Sequence, residues 1–223
     1  MKVNQKDWSC PKKQIARLMT IIKKYQSNFS NNLPQEKQYW TMAGQCANHN
    51  GEPKEGSEIQ QMLSVGLIQP HQFRGVEINY DIHQLNKKAF PHLNWINKDF
   101  YSAMSTAYAN NEFNPAIVNA DLTSTPETGC SYISRILALL SSCQSQNILL
   151  IANLIIRMKH YKEKNGDYIV DKLNEYPQFT HVMSHDNWNM QESYYRYDGT
   201  GDIGGRTYMG TLVFTKKAQT ICN

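Results

Sequence analysis

The segment Asn147–Ile156 (NILLIANLII) is apolar at every position except its first residue and Asn153. It is the longest apolar run in the chain, yet far short of the roughly 20 residues a membrane-spanning helix needs. A short, almost continuously apolar segment of this kind reads as a central parallel strand covered on both faces. That single strand dictates a layered architecture, with helices above and below a sheet.

The segments around it obey the same plan. From Gln38 onward, strand-like and helix-like stretches alternate. Gln38–Ala43 reads as a first strand closing at Gly44, followed by a polar loop, Gln45–Gly56. A helix then starts at Ser57, where Ser57 and Gln60 form an S-x-x-Q capping box and Ile59, Met62, Leu63 and Leu67 supply the apolar face. Phe73–Ile78 reads as a second strand with Glu77 near its end. Asp81 is placed to cap the next helix, which Pro91 stops. Leu93–Phe100 reads as a third strand reaching Asp99, and Pro115–Leu122 (PAIVNADL) as a fourth. Helices are expected over Gly129–Cys143 and Asp167–Tyr176. Phe179–Ser184, Glu192–Tyr197 and Arg206–Thr215 read as strands, the last two joined by a glycine-rich turn, Asp198–Gly205, as an antiparallel hairpin. The fold class is therefore α/β, a three-layer sheet of about seven strands, mostly parallel.

In open parallel sheets, ligands bind at the carboxyl ends of the strands near the point where strand order reverses. Four such ends carry Gly44, Glu77, Asp99, and Asn119 with Asp121, at intervals of 33, 22 and 20 residues. Other motifs carry less. Gly199–Gly204 (GTGDIG) matches G-x-G-x-x-G by letter but precedes a strand, so it reads as a turn. Ser184-His185-Asp186 has triad residue types, but three consecutive residues cannot form a nucleophile–base chain. His181 and His185 fall in a strand-like segment that sets them too far apart for one zinc ion, and Asp198, Thr200 and Asp202 lack the closing glutamate of a calcium loop. No metal site is expected.

Charge and cysteine content bound the function classes. The 223-residue chain has a formal charge of +4. Residues 1–37 hold eight basic groups (Lys2, Lys6, Lys12, Lys13, Arg17, Lys23, Lys24, Lys37) against two acids, for +6, leaving −2 to the rest. We read 1–37 as a basic N-terminal helical extension and 38–223 as the α/β domain. Residues 11–29 have Ile15, Leu18, Ile21 and Ile22 at helical spacing among lysines, a pattern that suits DNA or RNA phosphates or a solvated helix packed on the sheet. Trp188, Tyr194, Tyr195 and Tyr197 suit base stacking or sheet packing. Five cysteines, an odd number with no C-x-x-C pair, argue against a disulfide framework. With Arg17 interrupting the N-terminal apolar stretch, a cytoplasmic protein without membrane association is expected.

Over roughly residues 38–217 the chain resembles the class I S-adenosylmethionine-dependent methyltransferases, which have a Rossmann-like fold. Tyr39–Gly44 (YWTMAG) looks like their first strand and glycine turn, Arg74–Asn79 (RGVEIN) the second strand with its ribose-binding acid, Asn94–Phe100 (NWINKDF) the third, and Ala116–Leu122 (AIVNADL) the fourth. The antiparallel pair ending in Leu212-Val213-Phe214 looks like their last strand. The resemblance implies an S-adenosylmethionine cofactor held by Ala43, Gly44, Gln45, Glu77, Ile78, Asp99, Phe100 and Asn119. It implies that Glu77 accepts from the ribose hydroxyls, that Asp99 accepts from the adenine amine with Phe100 against the ring, and that Asn119 or Asp121 serves the methyl acceptor. Two departures stand out. Only Gly44 occupies the family's glycine-rich loop, with Gly51 and Gly56 far downstream, and Asn119–Leu122 lacks the D/N-P-P-Y tetrad of amino-methylating enzymes. The implied function is methyl transfer to nucleic acid. The alternatives are an inactive binding or inhibitory module of the same fold, and a nucleotide- or dinucleotide-binding enzyme.

Overall fold

The computed structural model of the chain describes residues 21–122, 126–157, 188–197 and 207–216. Residues 11–20 of the basic helix, the helix Asp167–Tyr176, the strand Phe179–Ser184, His181, His185 and the turn Asp198–Gly205 lie outside the described residues.

Among the described residues, seven strands form one sheet: β1 (Gln38–Met42), β2 (Phe73–Val76), β3 (Asn94–Ile96), β4 (Pro115–Asp121), β5 (Ile148–Arg157), β6 (Asn189–Tyr197) and β7 (Thr207–Lys216). Their order is β3-β2-β1-β4-β5-β7-β6. β1 to β5 are mutually parallel, β7 runs antiparallel to β5, and β6 antiparallel to β7. The helices are α1 (residues 21–28), α2 (Glu58–Ser64), α3 (Tyr80–Ala89), α4 (Phe100–Ala109) and α5 (Pro126–Ser142).

The strand side chains alternate between two cores, as the pleat requires. One face sends Trp40, Val118, Ala120, Leu150, Ala152 and Leu212 towards Met104 of α4 and Ile133, Ile136, Leu137 and Leu140 of α5. The other sends Tyr39, Ile117, Leu149, Ile151 and Val213 towards Ile21, Ile22 and Tyr25 of α1 and Ile59 and Met62 of α2. The apolar stripe of the basic helix thus packs on the sheet over its described part, while Lys23 stays exposed. Trp188 also packs: it lies against the first core, and its Nε1 donates to Ser141 Oγ at 2.9 Å. Lys216 of β7 closes the end of α5, donating to the carbonyls of Leu140 and Cys143 at 3.1 Å each.

The structure corrects the sequence reading in the third strand and in the cap of α3, and adds detail to the first loop. The third strand is only Asn94–Ile96, and Asp99 stands beyond it as the N-cap of α4, a helix the pattern concealed. The apolar face of α4 is built partly from alanine, so its periodicity is faint. Asn79, not Asp81, caps α3: its Oδ1 accepts the amides of Asp81 and Ile82 at 3.0 and 3.1 Å. Asp81 sits in the first turn, where a negative charge meets the positive end of the helix dipole. The Gln45–Gly56 loop is ordered. An Ala47↔Pro53 bridge, Asn48 N to Glu52 O at 2.9 Å and Lys54 N to Cys46 O at 2.9 Å fold it into a miniature hairpin. No helix among the described residues is long and apolar enough to cross a membrane.

Candidate functional site

From β1 the connections run outward to β2 and β3, and from β4 they run the other way to β5. The reversal falls between β1 and β4, and in open parallel sheets ligands bind above the strand ends at such a switch point. Gly44 is at this point, two residues past β1. Its φ of +56° is a left-handed conformation open to glycine, and a Cβ there would meet nothing within 4 Å. The turn is pinned from α3 by Asn86, which is fully buried. Asn86 Nδ2 donates to Gly44 O at 2.6 Å, and its Oδ1 accepts from Cys46 N at 2.9 Å. Two residues further along α3, Lys88 Nζ donates to Asn50 O at 2.8 Å, and its side-chain carbons lie where a Cβ on Gly51 would strike them.

Glu77 follows β2 directly. Burial pushes its carboxyl above the usual carboxylate range, with the amides of Asn79 and Ile78 and the nearby His83 pulling partly back. Its Oε1 accepts Asn79 N at 2.7 Å. Asn97, on the loop after β3, fixes the backbone here by donating to Glu77 O at 2.8 Å and Ile78 O at 3.1 Å. Ile78 and Tyr80 beside it are 71% and 63% exposed, an apolar surface next to a carboxylate.

Asp99 is already engaged on both oxygens. Oδ1 accepts the amide and hydroxyl of Ser102 at 3.0 and 3.1 Å, and Oδ2 accepts the Tyr132 hydroxyl at 3.0 Å. Burial alone would raise this carboxyl, but the Ser102 and Tyr132 bonds and the Arg135 charge together hold it below its ordinary value. Tyr132 is pushed up to about 12, chiefly by burial. Arg135 lies 4.1 Å above the Tyr101 ring, which meets Tyr132 edge-on. Phe100 departs from its expected place: it is 3% exposed and points into the core with Met104, because the first residue of α4 faces the sheet. Its ring offers no face to a ligand.

Asn119 departs likewise. It is fully buried two residues inside β4, and Asp121 occupies the partly exposed strand end. Asn119 Nδ2 donates to both oxygens of Glu58 at 3.1 Å. Glu58, the first residue of α2, is buried and also accepts from Thr41 Oγ1 at 2.9 Å and from the Tyr39 hydroxyl. One rung further out, Asp121 registers with Asn153 of β5, and Asn153 with Thr211 of β7. Thr211 Oγ1 donates to Asn153 Oδ1 at 2.7 Å, while Asn119 Oδ1 and Asn153 Nδ2 have no partner among the described residues. A polar seam thus crosses one sheet face near the ends of β1, β4 and β5.

Of the expected residues, the structure gathers Ala43, Gly44, Gln45, Glu77 and Ile78 around neighbouring strand ends and puts Asp121 at the end of β4. Sequence reasoning missed Glu58, Asn86, Asn97 and Tyr132. Asn153, the lone polar residue in an apolar strand, carried a visible signal; the others act across long sequence separations that no local pattern reveals. No group of three or more His, Cys, Asp or Glu side chains among the described residues is placed to hold a metal ion.

This sheet order, with its antiparallel last strands, is that of the class I S-adenosylmethionine-dependent methyltransferase fold. Trm5b from Pyrococcus abyssi superposes with a TM-score of 0.52 at 10% identity, over 91% of this chain and 48% of that one. The chain therefore spans about half the length of that protein. A precorrin-6y C5,15-methyltransferase from Geobacter metallireducens follows at 0.49 and 8% identity, covering 96% and 91% of the two chains. An O-methyltransferase from Bacillus cereus, in complex with SAH, follows at 0.47 and 10%, covering 93% and 82%. No protein-family model and no curated protein matches the sequence, so the likeness is one of fold.

Proposed function

We propose that this chain is an S-adenosylmethionine-dependent methyltransferase acting on nucleic acid. The observation that carries the reading is the pairing of an open Gly44 turn at the end of β1 with the Glu77 carboxylate at the end of adjacent β2, beside the switch point. The residues present fit the cofactor. Ala43, Gly44 and Gln45 would take its amino-acid end, Glu77 the ribose hydroxyls and Ile78 the adenine face. Asp99 keeps acceptor capacity for the adenine amine, since a carboxylate offers about four lone-pair sites. When bound, the cofactor supplies a methyl group on a sulfonium centre, open to in-line displacement.

The rest falls to the chain's own residues. Positioning of the acceptor is the main contribution to such a step. Asp121, partly exposed at the end of β4, is placed to take a proton from the acceptor group. Asn119, held by Glu58 one rung deeper, sets the strand that carries Asp121. The nucleic-acid part rests on the +6 charge of residues 1–37 and on the exposed Lys23.

Calorimetric titration with S-adenosylmethionine and S-adenosylhomocysteine tests the reading. Glu77→Ala is expected to abolish the heat. No heat and no thermal shift at millimolar cofactor would overturn the proposal. Labelled methyl groups are expected in RNA or DNA; incorporation into protein alone would overturn the substrate.

A further inference from the structure

Asn86 lies on α3, between β2 and β3, 42 residues along the chain from the turn it grips. Its side-chain amide bonds Gly44 O and Cys46 N as a neighbouring strand would, spanning Gln45. A trans peptide unit is planar and its N–H and C=O point in opposite directions. Gly44 O and Gln45 N–H belong to one such unit. With Gly44 O tied to Asn86, the Gln45 N–H is aimed away from α3. No hydrogen bond within the described residues engages that amide. The Gln45 side chain turns back, Nε2 donating to Ala47 O at 3.1 Å, and space is open beside Gly44.

We infer that Asn86 is a positioning residue that does the work of the absent glycines: it fixes the Gln45 N–H as an outward donor for the carboxylate of the cofactor's amino-acid end. This rests on the cofactor reading above. Asn86 contacts no ligand; it acts through the Gly44–Gln45 peptide. A mobile peptide would lose orientation on binding, whereas a peptide held by two bonds to a buried amide is already oriented.

The test compares ligands with and without the carboxylate. Full-length wild type, Asn86→Leu and Asn86→Asp are titrated with S-adenosylhomocysteine and with 5′-methylthioadenosine, which keeps the ribose and adenine but lacks the amino-acid end. Both variants are expected to bind S-adenosylhomocysteine at least about tenfold more weakly, the scale of one charge-assisted hydrogen bond, and 5′-methylthioadenosine as wild type does. Equal weakening of both ligands, or none, would overturn the inference, since general damage to the fold moves both together. Should Asn86→Leu fail to fold, Asn86→Asp carries the test, being isosteric and still able to accept from Cys46 N. A wild type that binds neither ligand fails the cofactor reading itself, a different result from variants that match a binding-competent wild type.

Discussion

The two faces of the sheet are built on opposite principles. The face under α4 and α5 is apolar from Trp40 to Phe214. The face under α1 and α2 is apolar at the amino ends of the parallel strands and polar towards their carboxyl ends, where Thr41, Glu58, Asn119 and Asn153 are buried with Thr211 of antiparallel β7 beside them. Burying polar groups costs free energy unless their partners are in place. The first face therefore gains its stability from apolar burial, and the second trades some of that for a fixed arrangement of polar groups near the strand ends.

Mutations on the two faces sharpen this contrast. Leu150→Ala, in the apolar face, is expected to cost about 2–5 kcal/mol in urea unfolding, because the cavity cannot collapse between two neighbouring strands. Glu58→Ala is expected to cost about 2–4 kcal/mol, leaving donors from Tyr39, Thr41 and Asn119 without their acceptor. The double variant Glu58→Ala/Asn119→Leu should cost less than the sum of its parts, since the two residues share one network. Full additivity there would erase the distinction between the faces.

Smaller effects follow at the strand ends. Asp99→Ala removes the α4 cap and is expected to cost about 1 kcal/mol near neutrality. The Asp99 carboxyl is held below its ordinary value, so its contribution is present above the unfolded carboxylate range and is lost as pH falls through the folded value. The gap between variant and wild type should close in acid. Glu77 has the opposite sign. Its raised carboxyl favours the folded state at low pH, a contribution lost as pH rises through the folded value. Glu77→Gln should therefore melt slightly higher than wild type at neutral pH, and like it below about pH 4, while losing cofactor affinity. A Gln variant that melts lower at neutral pH would contradict the buried charge. Least affected of all should be the thiols. Cys130 and Cys143 are buried and pushed up to about 11, so alkylation of the folded protein should proceed only as fast as it opens.

Much of this was legible in the residues. The apolar run of β5 announced the layered sheet, and the recurrence of Gly44, Glu77 and Asp121 behind apolar segments marked strand ends. Ser57 caps α2, its hydroxyl accepting Gln60 N at 3.5 Å, but the box does not close: Gln60 Oε1 accepts Gly56 N at 3.2 Å instead of the Ser57 amide. What stayed hidden depends on contacts made across the fold. α4 escaped because alanine and serine give little periodicity. Phe100 looked like a ligand-facing aromatic until the helix beginning there turned it inward. Glu58 looked like an ordinary acidic first-turn residue, and its partners on β1 and β4 are 17 to 61 residues away in sequence. Asn86 looked like any polar helix residue, because nothing local says that its amide stands in for glycines.

The placement of β7 between β5 and β6 has a consequence for how the protein is made. During synthesis, β1 to β5 emerge first, and the side of β5 that will meet β7 is an open row of backbone donors and acceptors on the most apolar strand of the chain. Until Thr207–Lys216 arrives to close it, Ile148–Arg157 is a template for pairing with another nascent chain. Yield in a cell should therefore depend on the speed with which the final hairpin docks, and a chain cut short before β6 should accumulate as aggregate even though its whole parallel sheet has been synthesised.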